Sequence, residues 1–228
     1  MTTGPGNAEP LAGERRLVVE YCRRMRADGL VVGTSGNISA RSGDLVAVSP
    51  SGIQYERLTP ALVGVHRLAD GARVAGDVEP TTELPMHLAI YRNTGAGAIV
   101  HTHSTAATAV STLVNEVPAI HYLVALFGGP VRVAPYATYG TDELAAHAIE
   151  ALAGRTGCLL ANHGAVTIGG TLAEAYQRAE YLEWLCDVCL RAYAHGSPRL
   201  LPPDEIERVR HKLADYGTQP PGPVDERT

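Results

Sequence analysis

The chain predicts a single α/β domain, on three observations. Short apolar runs bounded by glycine-, proline- and asparagine-bearing turns alternate with longer segments of helical period. Its 228 residues suit one domain with a substantial core. No internal repeat and no linker divides it.

Taken in order, a helix is expected over 13–28, with Leu17, Val18, Tyr21 and Met25 on one face and Gly29 ending it. Gly33 to Asn37 reads as a tight turn before a strand at 38–40, and a second strand at 45–48 closes on Ser49-Pro50-Ser51-Gly52. The turn from Gly76 to Pro80 leads into a helix over 83–92. A strand at 98–103 precedes a helical segment at 105–113, and 131–134 is a short apolar run. The helix at 142–153 takes Thr141 as its N-cap. Residues 158–162 and 166–168 form a hairpin pair around His163-Gly164. The longest helix covers 171–194, capped by Thr171 with Glu174 three residues on, and a last helix covers 203–216. These elements place one domain at 13–216, between a flexible start at 1–12 and a Pro-rich, mobile tail at 217–228.

Hydrophobic residues make up 45% of the chain and charged residues 19%, the profile of a soluble globular protein. A net charge of −5 offers no global attraction to nucleic acid or anionic lipid. The densest basic cluster, Arg15-Arg16 with Arg23-Arg24, reads as the solvated face of the first helix. No apolar run approaches a membrane span, and Met1 to Pro10 has no hydrophobic signal core, so a cytoplasmic location is expected. Cys22, Cys158, Cys186 and Cys189 agree with reduced thiols; Cys186 and Cys189 fall inside the longest helix with no second C-x-x-C partner, and read as packing residues.

His101-Thr102-His103 is the most informative motif. In a strand, residues i and i+2 point to one face, so both imidazoles project side by side. Alone, the pair reads equally as two hydrogen-bonded histidines at a strand end. His163, held after the apolar run at 158–162 with Gly164 allowing close approach of the chain, is a third candidate ligand. Glu83 is the carboxylate candidate, although an acid at a helix start is also favoured by the macrodipole. His87, one turn later, is a rival ligand. Three histidines and a movable acid fit a catalytic zinc better than a structural one, which cysteines usually close. Gly33-Thr34-Ser35-Gly36-Asn37, Pro50-Ser51-Gly52 and Thr81-Thr82 supply backbone N–H groups, hydroxyls and an amide suited to an anion. Each read singly is a turn, and no Walker-type G-K-[ST] is present.

The ordered series GTSGNIS (33–39), SPSGIQYERL (49–58), PTTELPMHLAIY (80–91), IVHTHS (99–104), APYATYGT (134–141) and NHGAV (162–166) resembles the class II aldolase/adducin family over roughly 13–216. The resemblance implies a three-layer α/β/α domain with a mainly antiparallel central sheet, assembled as a homotetramer with sites between neighbouring subunits. It implies zinc, or another divalent metal, held by His101, His103, His163 and Glu83. It also implies a phosphate cradle of Thr34, Asn37, Ser51, Gly52, Thr81 and Thr82. The reaction it implies is reversible cleavage of a phosphorylated sugar, a ketose 1-phosphate, with L-fuculose 1-phosphate the named substrate and dihydroxyacetone phosphate and L-lactaldehyde the products. Glu83 would exchange the proton at the nucleophilic carbon, and Tyr122, presented across a subunit boundary, would serve the aldehyde oxygen. Tyr139 and Tyr216 match the aldehyde-binding region. The same framework serves a 5-deoxypentulose-phosphate aldolase and a phosphorylated oxo-tetronate decarboxylase. An L-ribulose-5-phosphate 4-epimerase fits less well, because no aspartate stands at His121-Tyr122. A non-catalytic adducin-like interaction module would be expected to lose the histidines or the acid, and a purely structural zinc site is a third reading.

Overall fold

The computed structural model describes residues 9–214, so Tyr216, the expected tail at 217–228 and the start at 1–8 lie outside the described residues. The helices are α1 (Ala12–Ala27), α2 (Leu84–Asn93), α3 (Thr105–Ser111), α4 (Asp142–Leu152), α5 (Leu172–His195) and α6 (Pro203–Ala214). The strands are β1 (Asn37–Ser42), β2 (Leu45–Val48), β3 (Gly64–Arg67), β4 (Arg73–Ala75), β5 (Ala98–Thr102), β6 (Glu116–Val117), β7 (Val131–Ala134), β8 (Gly157–Leu160) and β9 (Gly164–Gly169). They form one nine-stranded sheet in the order β4-β3-β2-β1-β5-β9-β8-β7-β6. Only β7 and β8 run parallel; every other neighbouring pair is antiparallel.

Period-two alternation sorts side chains between two covered faces. On β5, Ala98 and Val100 pack with Val18, Cys22 and Met25 of α1 and with Ala175 and Tyr176 of α5. Ile99 points the other way, into a cluster with Ile90 and Tyr91 of α2 and Leu144 and Ala148 of α4. On β8, Leu159 joins α3, the second half of α5, α6 and the 3-10 helix Tyr122–Phe127, while Cys158 and Leu160 face α2 and α4. The result is the expected three-layer α/β/α domain. Both foreseen caps form: Thr141 accepts the Leu144 N–H at 3.3 Å and Thr171 accepts the Glu174 N–H at 3.2 Å.

Three strands were not foreseen. β3, β4 and β6 are two to four residues long, and they owe their order to the ladder beside them rather than to local pattern. The basic face of α1 also differs from expectation. Arg15 is buried and donates to the carbonyls of Val63 at 3.1 Å and Ala61 at 3.0 Å, and Arg23 donates to the Leu58 carbonyl at 2.9 Å. These guanidinium groups bind loop carbonyls that lack partners of their own, so they anchor the 55–63 loop instead of facing solvent. Leu17 lies off the buried stripe of α1, with 43% of its surface exposed. All four cysteines are free and buried, Cys186 and Cys189 within the third cluster. Among the described residues, no helix is long and apolar enough to cross a membrane.

Candidate metal centre and active site

His101 is the penultimate residue of β5, on the Ile99 face, and His103 lies just beyond the strand. Their ring centroids lie 4.7 Å apart, so the side-by-side placement expected of H-x-H is what forms. His163 comes from the turn between β8 and β9, 4.9 Å from the His101 ring and 4.8 Å from that of His103. Two local features make that turn possible. Asn162 adopts a left-handed conformation, φ 56°, which asparagine tolerates better than most residues. A Cβ on Gly164 would meet the Thr102 carbonyl oxygen at 2.1 Å, so only glycine lets β9 approach β5 here. Glu83 occupies the N-cap of α2 but caps nothing; its side chain turns to the histidines, with Oε2 3.0 Å from His101 Nε2 and Oε1 3.5 Å from His163 Nε2. One ligand atom from each of the four groups falls within 4.8 Å of the others.

The protonation pattern suits a cation. His101 Nδ1–H donates to the Ala165 carbonyl at 3.0 Å, which leaves Nε2 as the nitrogen facing the cluster. Burial opposes charge on His101, but the Glu83 carboxylate, by attraction and hydrogen bond, and the Ala165 carbonyl raise its pKa. Burial first, then the charge of His101, pushes His103 down to about 3 and His163 down to about 4. Burial would raise the Glu83 carboxyl, yet His101, the Asn37 amide and His163 together hold it well below the usual carboxylate range. His103 Nε2 faces His101 Nε2 at 2.9 Å, where at most one proton fits, and Glu83 Oε1 is buried without a hydrogen-bond partner. Lone pairs of three imidazoles and one carboxylate thus converge on a common point, and this donor set fits a divalent metal ion.

His87 is not a fourth imidazole of this set. Its Nδ1 lies 2.6 Å from Ser39 Oγ and its Nε2 2.5 Å from Asn37 Oδ1, so both nitrogens are engaged away from the cluster.

A cleft of about 570 Å³ opens on the cluster. Thr34, Asn37, Ser51, Gly52, Thr81, Thr82, Glu83, His103, His163 and Tyr139 all line it, while His101 sits fully buried behind. The hydroxyl-bearing loops are tied together: the Ser51 N–H donates to the Glu79 carbonyl and the Thr81 N–H to the Ser49 carbonyl, both at 3.1 Å. Tyr55 pins the glycine turn, its hydroxyl 2.9 Å from the Ser35 carbonyl and 2.8 Å from that of Gly36. Among the described residues, no arginine or lysine lines the cleft. Lys212, the only lysine of the chain, is exposed on α6, away from the cleft. Tyr122 begins its 3-10 helix, 46% exposed and packed on the His121 ring at 4.4 Å, and does not line the cleft. Sequence reasoning missed Val32 and Tyr136, which also line the cleft; each stands next to or within a motif already singled out.

Residues 16–190 match the class II aldolase and adducin N-terminal domain. The chain belongs to this family. The 5-deoxy-D-ribulose 1-phosphate aldolase of Bacillus thuringiensis serovar kurstaki is 41% identical over 92% of this chain and 99% of its own length. The L-fuculose phosphate aldolase of Escherichia coli (strain K12) is 38% identical over 89% of this chain and 94% of its own. Among solved structures, an L-fuculose 1-phosphate aldolase superposes with a TM-score of 0.87 at 34% identity, covering 92% of this chain and all (100%) of that one. With the four metal-ligating groups in place, the chain is a metal-dependent class II aldolase, a lyase acting on sugar phosphates. That excludes the adducin-like, purely non-catalytic reading.

Proposed function

We propose that this aldolase cleaves a terminally deoxygenated ketose 1-phosphate, reversibly, into dihydroxyacetone phosphate and a short methyl-terminated aldehyde. One observation carries the reading: the tri-imidazole–carboxylate cluster opens directly onto a cleft walled by hydroxyls, an amide and glycine-bearing turns. Glu83, His101, His103 and His163 would hold zinc, which when bound supplies Lewis-acid charge to the ketose carbonyl. Thr34, Asn37, Ser51, Gly52, Thr81 and Thr82 would bind the phosphate through neutral donors, as turns and helix starts do elsewhere.

Cleavage breaks the bond between the third and fourth carbons. The fourth-carbon hydroxyl gives up its proton as that carbon becomes the aldehyde, and the bonding electron pair stays with the dihydroxyacetone fragment until its third carbon is protonated. Among the described residues Glu83 is the one carboxylate lining the cleft; held ionised, it would remove the carbon-bound proton in the condensation direction, and in cleavage its protonated form would return that proton to the third carbon. Tyr122 of a neighbouring subunit in a homotetramer would, as phenolate, take the hydroxyl proton in cleavage and, as phenol, return it to the aldehyde oxygen in condensation, and Tyr139 and Tyr216 would border the aldehyde.

The first substrate to test is 5-deoxy-D-ribulose 1-phosphate, whose aldehyde fragment is acetaldehyde, because the relative that acts on it is the more similar to this chain. L-fuculose 1-phosphate, which yields L-lactaldehyde, is the second reading, supported by the backbone likeness. Zinc-loaded protein is assayed on both, on L-ribulose 5-phosphate and on a phosphorylated oxo-tetronate, reading dihydroxyacetone phosphate, epimer and carbon dioxide. Chelator-sensitive release of dihydroxyacetone phosphate from a 1-phosphate is expected. Epimerisation or decarboxylation without it would overturn the proposal.

A further inference from the structure

A buried chain of hydrogen bonds runs away from Glu83 into the α2 side of the sheet. Asn37 Nδ2 donates to Glu83 Oε2 at 2.8 Å. Asn37 Oδ1 lies 2.5 Å from His87 Nε2, His87 Nδ1 lies 2.6 Å from Ser39 Oγ, and Ser39 Oγ lies 2.8 Å from the Tyr91 hydroxyl. Asn37 and Glu83 are each 4% exposed, Tyr91 1%, and Ser39 and His87 fully buried, so water cannot substitute for a missing partner.

The donors along this chain can be assigned from one end. The Asn37 amide turns its NH2 toward the carboxylate, whose oxygen accepts, and its own oxygen toward His87. Asn37 Oδ1 then needs a proton on His87 Nε2. A neutral imidazole with Nε2–H presents a lone pair at Nδ1, which takes the Ser39 hydroxyl proton, and the Ser39 oxygen in turn accepts from Tyr91. Burial, the largest influence on His87, pushes its pKa down to about 3, which agrees with the neutral ring this pattern needs. The opposite tautomer would reverse every bond. It would flip the Asn37 amide and set its carbonyl oxygen against Glu83 Oε2, two acceptors at hydrogen-bond distance in a dry site.

We propose that His87 is a positioning residue: held as its Nε2–H tautomer by Ser39 and Tyr91, it locks the Asn37 amide so that Glu83 keeps the orientation in which it serves the metal cluster. The proposal rests on the assignment of Glu83 to that cluster. It also explains why an imidazole one turn from a ligand stays out of the ligand set: both its nitrogens are needed elsewhere.

The test reads tautomers and metal affinity, not turnover. Long-range proton–nitrogen correlation spectra of uniformly 15N-labelled protein should show His87 as the Nε2–H tautomer. Ser39→Ala removes the donor to Nδ1 and should yield mixed tautomers with weaker zinc binding, measured by competition with a chromophoric chelator. His87→Leu should weaken zinc binding roughly 10- to 100-fold, the usual cost of losing an outer partner of a ligand. His87→Gln retains an amide N–H near the Nε2 position and should recover most of that loss, which a mere packing role would not predict. An Nδ1–H tautomer in the unsubstituted protein would overturn the proposal. So would a folded His87→Leu protein with unchanged zinc affinity. If His87→Leu does not fold, the tautomer spectra and Ser39→Ala still decide. Absence of aldolase activity would sink the functional reading and leave the tautomer result standing.

Discussion

Loading zinc into metal-free protein at about pH 6 should release close to one proton. Three ordinary histidines of pKa near 6.5 would each be about three-quarters protonated at that pH, and metal binding would displace roughly 2.3 protons. The cluster cannot hold so many. With ligand atoms of four groups within 4.8 Å of one another, a second imidazolium beside His101 would meet a like charge inside a poorly solvated site. His103, at about 3, and His163, at about 4, are therefore neutral at pH 6, and Glu83 is already ionised. The raised pKa of His101 leaves it as the one proton-bearing ligand. Lowered histidine pKa values mean that acid begins to compete with metal at His103 and His163 only as pH falls toward those values, while His101, with its pKa raised, competes at higher pH. Between about pH 5 and 6 the logarithm of the apparent Kd should fall by ~1 per pH unit, against 2 or more for unperturbed histidines. Titration calorimetry in buffers of different ionisation enthalpy counts the protons directly. Metal-bound water, with a pKa near 7, adds little at pH 6. Release of two or more protons would refute the argument.

Other outcomes can be checked in parallel. Gly164→Ala should lower the urea midpoint by an amount worth roughly 1–3 kcal/mol and strip the protein of metal, because its Cβ would stand 2.1 Å from the Thr102 oxygen; a normal midpoint with full metal would contradict this. Glu83→Gln should reduce turnover by ~100-fold to 10,000-fold while circular dichroism stays native, and retained turnover would remove Glu83 from proton transfer. Thr82→Val, at an exposed position of the cleft wall, should raise KM roughly 10- to 100-fold with little change in kcat if its hydroxyl binds phosphate. The thiols of Cys22 and Cys158, buried and pushed up to about 12, should resist Ellman's reagent in native protein at about pH 8 and react once it is unfolded.

Much of the site was legible because its signals are local. The H-x-H spacing at a strand end, the N-cap threonines and Gly164 behind His163 each depend on a few consecutive residues and on the periods of strand and helix. The ordered motifs then placed ligands and cleft residues together without coordinates. Three short strands escaped, since β3, β4 and β6 carry no apolar run of their own and exist as partners of neighbouring strands.

Partner choice among polar groups was a different matter. Arg15 looked like a solvent-facing helix residue until the carbonyls of Ala61 and Val63 claimed it. His87 looked like a ligand until Asn37, 50 positions away, and Ser39, 48 away, occupied both its nitrogens. Even Glu83, at a helix start, had the helix dipole as a competing partner; the Asn37 amide and His101 turned it toward the cluster. Sequence spacing specifies which face a side chain takes, because backbone geometry repeats. It does not specify which donor meets which acceptor across the sheet, because a buried hydrogen bond is set by distances of a few tenths of an ångström between chains far apart in sequence.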